Sequence, residues 1–458
     1  MKIPQNCLAK KIKEHLFFWR GENVESILKQ LEILEGSIAA SDGLDLFELA
    51  YSIYLKNCKY SNKKLLLSIV TESVNELKTK IISAKVLLKE NPKFIPARHA
   101  LSGRDSNGIY FSSEPLAKAG KIAFLFSGQG SQRPHMFKEL NSIFPQLQES
   151  ISKADIVLKN RLPKLLSEYI FPSHASNPEE VKAQMEALTQ TNIAQPALGV
   201  IEVGLLKIMK LFDVTADMLA GHSLGEYVAL YASGVFEEEM LYELLEYRGS
   251  AIISSSKSDL GTMLAVGAGV EDIKDVIKDM PNVFIANLNS PVQTILSGSD
   301  ESLDLASVKL KENGIRSKKI NVSCAFHSPY MDSAKDLLFK KLSTLDYKSP
   351  LVLVYSNLSA SRYPDDKESI LSILCEHLVS PVRFSEEIEN MFKDGARVFI
   401  EIGPDNVLTN LVKRILGERD YVAIASNVKT ATDISQILNV FAQLMAEGFK
   451  VDLSALFD

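Results

Sequence analysis

Residues 216–226, Ala-Asp-Met-Leu-Ala-Gly221-His222-Ser223-Leu224-Gly225-Glu226, run from a short apolar strand pattern through a tight turn into a helix, with serine at the apex. A G-x-S-x-G turn between strand and helix lets the backbone double back sharply and holds the hydroxyl out from the sheet edge. The first helical amides lack an intrahelical partner and the helix dipole is positive there, so the Leu224 N–H can face the oxyanion of a tetrahedral intermediate. The pentapeptide alone fits an ordinary tight turn better than a nucleophile; its context on both sides leaves the two readings evenly open.

Upstream, residues 121–126 (KIAFLF) form another buried-strand pattern, ending in the glycine-containing turn Ser127-Gly128-Gln129-Gly130-Ser131-Gln132. The pattern is then mostly helical to about residue 212. Downstream, residues 262–322 read strand, helix, strand, strand, helix, strand, the order of a ferredoxin-like unit. It reads as an insertion, because α/β elements resume with strands at 351–355 and 397–402, the Gly403-Pro404 break, a helix at 407–415 and a strand at 421–425. Before all this, residues 8–115 read as a small α/β unit, with helices at 24–34, 44–54 and 74–82 and a β-rich stretch at 64–71. Turn formers at 102–108, with 112–120, read as a linker. The fold class expected is α/β: an α/β-hydrolase-like large subdomain with an inserted ferredoxin-like small subdomain, preceded by a small α/β linker domain.

The chain has 458 residues, too many for one ordinary domain. With 46 % hydrophobic and 24 % charged residues it matches a soluble globular protein. A net charge of −6 argues against nucleic-acid binding. The cluster Leu16-Phe17-Phe18-Trp19 is too short for a signal-peptide core, and no segment reaches membrane-spanning length. Cys7, Cys58, Cys324 and Cys375 have neither zinc nor disulfide spacing, which fits a reducing cytoplasm and implies no metal.

A serine nucleophile needs a base, and seven histidines are available. His222 adjoins Ser223, but successive side chains at a turn point apart. His327, in Ala325-Phe326-His327-Ser328-Pro329 just after a strand, is the best placed of the rest. No acid is identifiable as its partner; backbone carbonyls can orient a histidine instead, which admits a dyad. Arg248, on the next helix, reads either as a solvated surface arginine or as a bidentate clamp for a carboxylate.

Five segments, 126–132 (FSGQGSQ), 221–226 (GHSLGE), Arg248, 325–328 (AFHS) and 401–404 (EIGP), occur in the order and approximate spacing of malonyl-CoA:acyl-carrier-protein transacylases, which the chain resembles over about residues 120–445. The resemblance looks closest to acyltransferase domains of modular polyketide or polyunsaturated fatty acid synthases. Residues 8–115 resemble the linker between ketosynthase and acyltransferase, and 448–457 (GFKVDLSALF) the tail after the acyltransferase. The division implied is a linker-like domain at 1–117, an acyltransferase domain at 118–445 with its insertion at about 260–322, and a tail at 446–458.

The resemblance implies Ser223 as the acylated nucleophile, His327 as its base, the amides of Leu224 and Gln129 as oxyanion hole, and Arg248 as partner of the malonyl carboxylate. Leu224 and Phe326 resemble the malonyl-selective subgroup, a bulky phenylalanine crowding an α-methyl branch. Three departures stand out: Cys324 replaces a common histidine; His377 replaces the amide residue whose main-chain carbonyl orients the base; Ser127 replaces a proline, with little consequence expected. The implied cycle is ping-pong, with malonyl-CoA as substrate, no bound cofactor, and the phosphopantetheine thiol of an acyl carrier protein as acceptor. The resemblance also admits a ketosynthase as partner, and neither nucleic acid nor membrane is expected as one. Arg316, Lys318 and Lys319 read either as a carrier or CoA docking patch or, more simply, as a solvated strand face. The rival readings are a hydrolase that clears stalled carriers and a non-catalytic docking segment of a synthase.

Overall fold

The computed structural model describes residues 7–41, 43–60, 64–90, 107–255, 261–320, 322 and 324–458. Its largest sheet is built from β4 (Lys121–Phe126), β5 (Met218–Gly221), β10 (Leu353–Val354), β11 (Ala396–Ile402) and β12 (Val422–Ala425), in the order β10-β5-β4-β11-β12, all parallel. Parallel strands are covered on both faces, so they read as continuous apolar runs. Phe124 and Phe126 of β4 point into the core that contains helix Thr191–Leu211, while Ala123 and Leu125 pack on the other face with helices Phe384–Lys393 and Val407–Leu416. Helix Thr191–Leu211 corrects one expectation: with 21 residues and mean hydropathy 1.2 it is long and apolar enough to cross a membrane. Its apolarity runs all round because 83 % of its most apolar window is buried, against helices Pro145–Val157 and Glu238–Ser254 among others.

The second sheet holds β6 (Thr262–Val266), β7 (Val283–Ser290), β8 (Gln293–Gly298) and β9 (Ser317–Ile320), antiparallel in the order β7-β8-β6-β9. Helices Val270–Ile277 and Asp300–Glu312 complete the expected βαββαβ order. They cover the face carrying Leu264, Val266 and Leu296, and Met263, Ile295 and Ile320 on the opposite face line a cleft against the large sheet. Main-chain bonds between Leu288, Ala286 and Val382 tie β7 to the large unit.

The third sheet pairs β1 (His15–Gly21), β2 (Leu65–Thr71) and β3 (Ile109–Phe111), all antiparallel. Two of these strands differ from the sequence reading. β1 is the cluster around Leu16–Trp19; it is buried on both faces, so alternation is absent. β3 is three residues long, too short for a periodic signal, and it lies just past the turn-rich stretch, of which 102–106 fall outside the described residues. Helices Val24–Ala39 and Val74–Glu90 pack on one face of this sheet. Helix Asp433–Ala446 packs on the other, where the Ser68 hydroxyl donates to the Ala442 carbonyl at 2.7 Å. The chain end returns to the same unit: the Phe457 ring lies 4.6 Å from that of Tyr54.

Candidate functional site

At the carboxyl ends of β4 and β5, where parallel sheets gather binding and reactive groups, the two expected turns meet. A Cβ on Gly225 would run into the Phe126 carbonyl, and one on Gly128 would stand 2.7 Å from the His222 carbonyl oxygen. Only glycines allow this approach of backbone to backbone. Ser223 sits at φ 54° and helix Gly225–Ala232 starts behind it. Among the described residues, neither the Leu224 nor the Gln129 amide has an acceptor, and both residues line a cleft of about 270 Å³.

His327 reaches this cleft from the segment after β9. Its Nε2 lies 2.9 Å from Ser223 Oγ, and its Nδ1 lies 3.0 Å from the His377 carbonyl oxygen. A carbonyl only accepts, so Nδ1 carries the proton and the Nε2 lone pair faces the serine hydroxyl. Burial, then the positive charge of Arg248, lowers the His327 pKa to about 3; the bond to His377 opposes this. The His377 side chain is itself buried, with its Nδ1 3.2 Å from Glu226 Oε2, and burial and the neighbouring His327 hold it well below an ordinary imidazole. Burial raises Glu226 to about 7.

Arg248, on helix Glu238–Ser254, is 2 % exposed, which removes the surface-arginine reading. Its guanidinium lies over the Tyr227 ring at 5.7 Å, its Nη2 is 3.5 Å from Ser223 Oγ, and its Nε has no partner among the described residues. Among the described residues no carboxylate forms an ion pair with it; burial lowers its pKa, and Tyr227, Cys324 and Glu226 nearby only partly oppose this. Phe326 forms part of the cleft wall with Met263, Ile295 and Ile320.

The basic triple divides. Lys319 pairs with Asp300 at 2.9 Å and Asp304 at 2.8 Å, on the helix-covered face of the small sheet. Exposed Lys318 alternates with it and shares the strand face of Ile320, toward the cleft; Arg316 is exposed just before β9. His222 turns from the serine, as expected, and its Nε2 lies 2.9 Å from Asn289 Oδ1.

Two polar residues here were not singled out from sequence. Asn357 accepts from the Ser223 amide at 2.8 Å and donates to the Gly221 carbonyl at 2.6 Å and to Glu387 at 2.7 Å. Its one sequence signal is its place just after β10, at the same sheet edge. Glu202, inside helix Thr191–Leu211, accepts from Ser127, and it had no signal in an apolar helix pattern.

Compared with known proteins, residues 123–446 match the model of the acyl transferase domain. The chain is 37 % identical over 311 residues to the malonyl CoA-acyl carrier protein transacylase of Bacillus subtilis, covering 67 % of this chain and 93 % of that protein. It is 32 % identical over 352 residues to a polyunsaturated fatty acid synthase protein of Thraustochytrium sp., covering 74 % of this chain but only 12 % of that much longer one. Among solved structures, the acyltransferase domain from the second module of the salinomycin polyketide synthase superposes with a TM-score of 0.71 at 26 % identity, covering 95 % of this chain and 94 % of that one. With a family match over most of its length, and with serine, imidazole and glycine turns brought together at one sheet edge, this chain belongs to the acyl transferase domain family.

Proposed function

We propose that this chain moves a malonyl group from malonyl-CoA, through an ester on Ser223, to the phosphopantetheine thiol of an acyl carrier protein. The observation that carries the reading is the 2.9 Å contact of Ser223 Oγ with His327 Nε2 beneath a buried guanidinium whose Nε has no partner among the described residues. In the first half-reaction His327 Nε2 takes the hydroxyl proton as Ser223 Oγ bonds to the thioester carbon. The oxyanion is met by the amides of Leu224 and Gln129. The C–S bond then breaks and the proton passes to the CoA sulfur. The carrier thiol repeats these steps in reverse order of groups. Arg248 holds the malonyl carboxylate, Phe326 and Leu224 shape the space beside its α-carbon, and the His377 carbonyl orients the base.

The domain division proposed is 1–117, 118–445 and 446–458, with the four-stranded unit as a ferredoxin-like insertion in an α/β-hydrolase-like large subdomain. Lys318 and Arg316 are better placed than Lys319 to meet an acidic carrier or CoA phosphate, because Lys319 is committed to two aspartates. A cytoplasmic setting is part of the proposal, with Cys7, Cys58, Cys324 and Cys375 as free thiols.

Incubation with malonyl-CoA followed by intact-mass measurement tests the reading. A malonyl adduct on the wild type, absent in Ser223→Ala and discharged by a holo carrier protein, is the expected result. Discharge to water at the same rate without carrier identifies a hydrolase, and no adduct identifies a non-catalytic segment.

A further inference from the structure

Ser127 opens the loop that carries the Gln129 amide. Its own amide donates to Glu202 Oε1 at 2.9 Å and its hydroxyl to the same oxygen at 2.5 Å. Both residues are buried, Ser127 at 1 % and Glu202 at 0 % exposure. The loop is cross-braced from within, since the Ser131 hydroxyl lies 3.2 Å from Ser127 Oγ and 3.1 Å from the Gly128 carbonyl. A third segment closes over the pair: a Cβ on Gly403, at φ 154°, would collide with Ser127 Oγ and stand 2.9 Å from Glu202 Oε1. The turn after β4, an acid in the core helix and the glycine after β11 therefore meet at one buried point.

We infer that Ser127 and Glu202 are positioning residues, fixing the Gln129 amide where the oxyanion of the acyl-transfer intermediate develops. The inference rests on the acyl-transfer reading proposed above. An oxyanion donor acts only if it is held still before charge develops, because reorganising it during the reaction would cost part of what it contributes. The two glycines around Gln129 stiffen nothing, and the bonds within the loop give it no attachment to the core. Two bonds onto one oxygen of a side chain rooted in a 21-residue buried helix supply it. A proline at position 127 could make neither bond, so in this chain the serine has a role that the expectation from sequence left out. Burial pushes the Glu202 carboxyl well above the usual carboxylate range, which agrees with its acting as a neutral acceptor. Gly403 serves as the lid that leaves room for the pair.

The test is single-turnover acylation of the full chain by malonyl-CoA, reading the rate constant and the acylated fraction separately. For Ser127→Ala the rate constant is expected to fall roughly ten- to hundredfold with KM within about twofold of wild type, because the lost stabilisation belongs to the transition state. The acylated fraction at long times stays at the wild-type value, which a merely misfolded population would not give. Glu202→Gln, which keeps the accepting oxygen, retains most of the rate, and Glu202→Leu loses as much as Ser127→Ala; this pair decides the matter where Ser127→Ala folds poorly. A Ser127→Ala or Glu202→Leu enzyme with the wild-type rate constant overturns the inference while leaving the transfer reading intact. A wild type that takes no malonyl group overturns both.

Discussion

The rings of His327 and His377 lie 5.2 Å apart, and the main-chain carbonyl of His377, not its imidazole, accepts the Nδ1–H of His327. A carbonyl fixes the tautomer without supplying the negative charge that an acid would. The carbonyl aims the base and raises its basicity only in part; burial, then the charge of Arg248, outweigh it and lower the pKa to about 3.

The pH consequence has a definite sign. His327 stays neutral, and able to accept the serine proton, far below the 6.5 of an ordinary imidazole. Acylation rates measured by rapid quench are expected to hold from pH 8 down to about 5. An acid limb centred at 6.5 would contradict this. The unfolded imidazole titrates at 6.5 and the folded one near 3, so the stability carried by the neutral ring is complete above 6.5 and is lost as pH falls toward 3.

Arg248 is expected to discriminate by charge. Removing one partner of a buried charge pair costs about 2–5 kcal/mol, so Arg248→Ala lowers kcat/KM for malonyl-CoA by that equivalent. Acetyl-CoA, which has no carboxylate to lose, is loaded at an unchanged or higher rate. Parallel losses for both substrates would assign Arg248 a structural role.

Phe326 is 7 % exposed in the cleft wall. Truncation to alanine frees space beside the α-carbon, and a methylene in such a pocket is worth about 1–3 kcal/mol. Competition between malonyl-CoA and methylmalonyl-CoA should shift toward the branched substrate by roughly tenfold. An unchanged ratio places selectivity elsewhere.

Asn357→Ala leaves the buried Gly221 carbonyl, a buried Glu387 oxygen and the partly buried Ser223 amide without the partner that each has now. An unsatisfied buried group costs about 1–3 kcal/mol, so urea unfolding should show a loss above about 2 kcal/mol, with slower acylation of the protein that remains folded. Full stability would mean that water replaces the amide.

The sequence carried the strands of the large and small sheets well where each strand lies in one environment. Residues 121–126 and 262–266 coincide with β4 and β6. It failed at β1, whose two buried faces erase alternation, and at β3, which is held by pairing to β2 and not by its own pattern. The site divides in the same way. Ser223, His327 and Arg248 stand in segments whose residue types announce chemistry. Glu202 does not, because the reason for an acid in an apolar helix is Ser127, 75 residues away in sequence and adjacent only after folding. Asn357 is legible only once β10 is seen beside β5.

Both reacting residues occupy left-handed backbone, Ser223 at φ 54° and His327 at φ 56°. For side chains with a Cβ such a conformation stores about 1–3 kcal/mol of strain, so the molecule works against its own local preference at the two places where bonds change. The strain is measurable without any substrate. Ser223→Gly and His327→Gly should each melt above the matching alanine variant, the reverse of the order that glycine gives at ordinary positions.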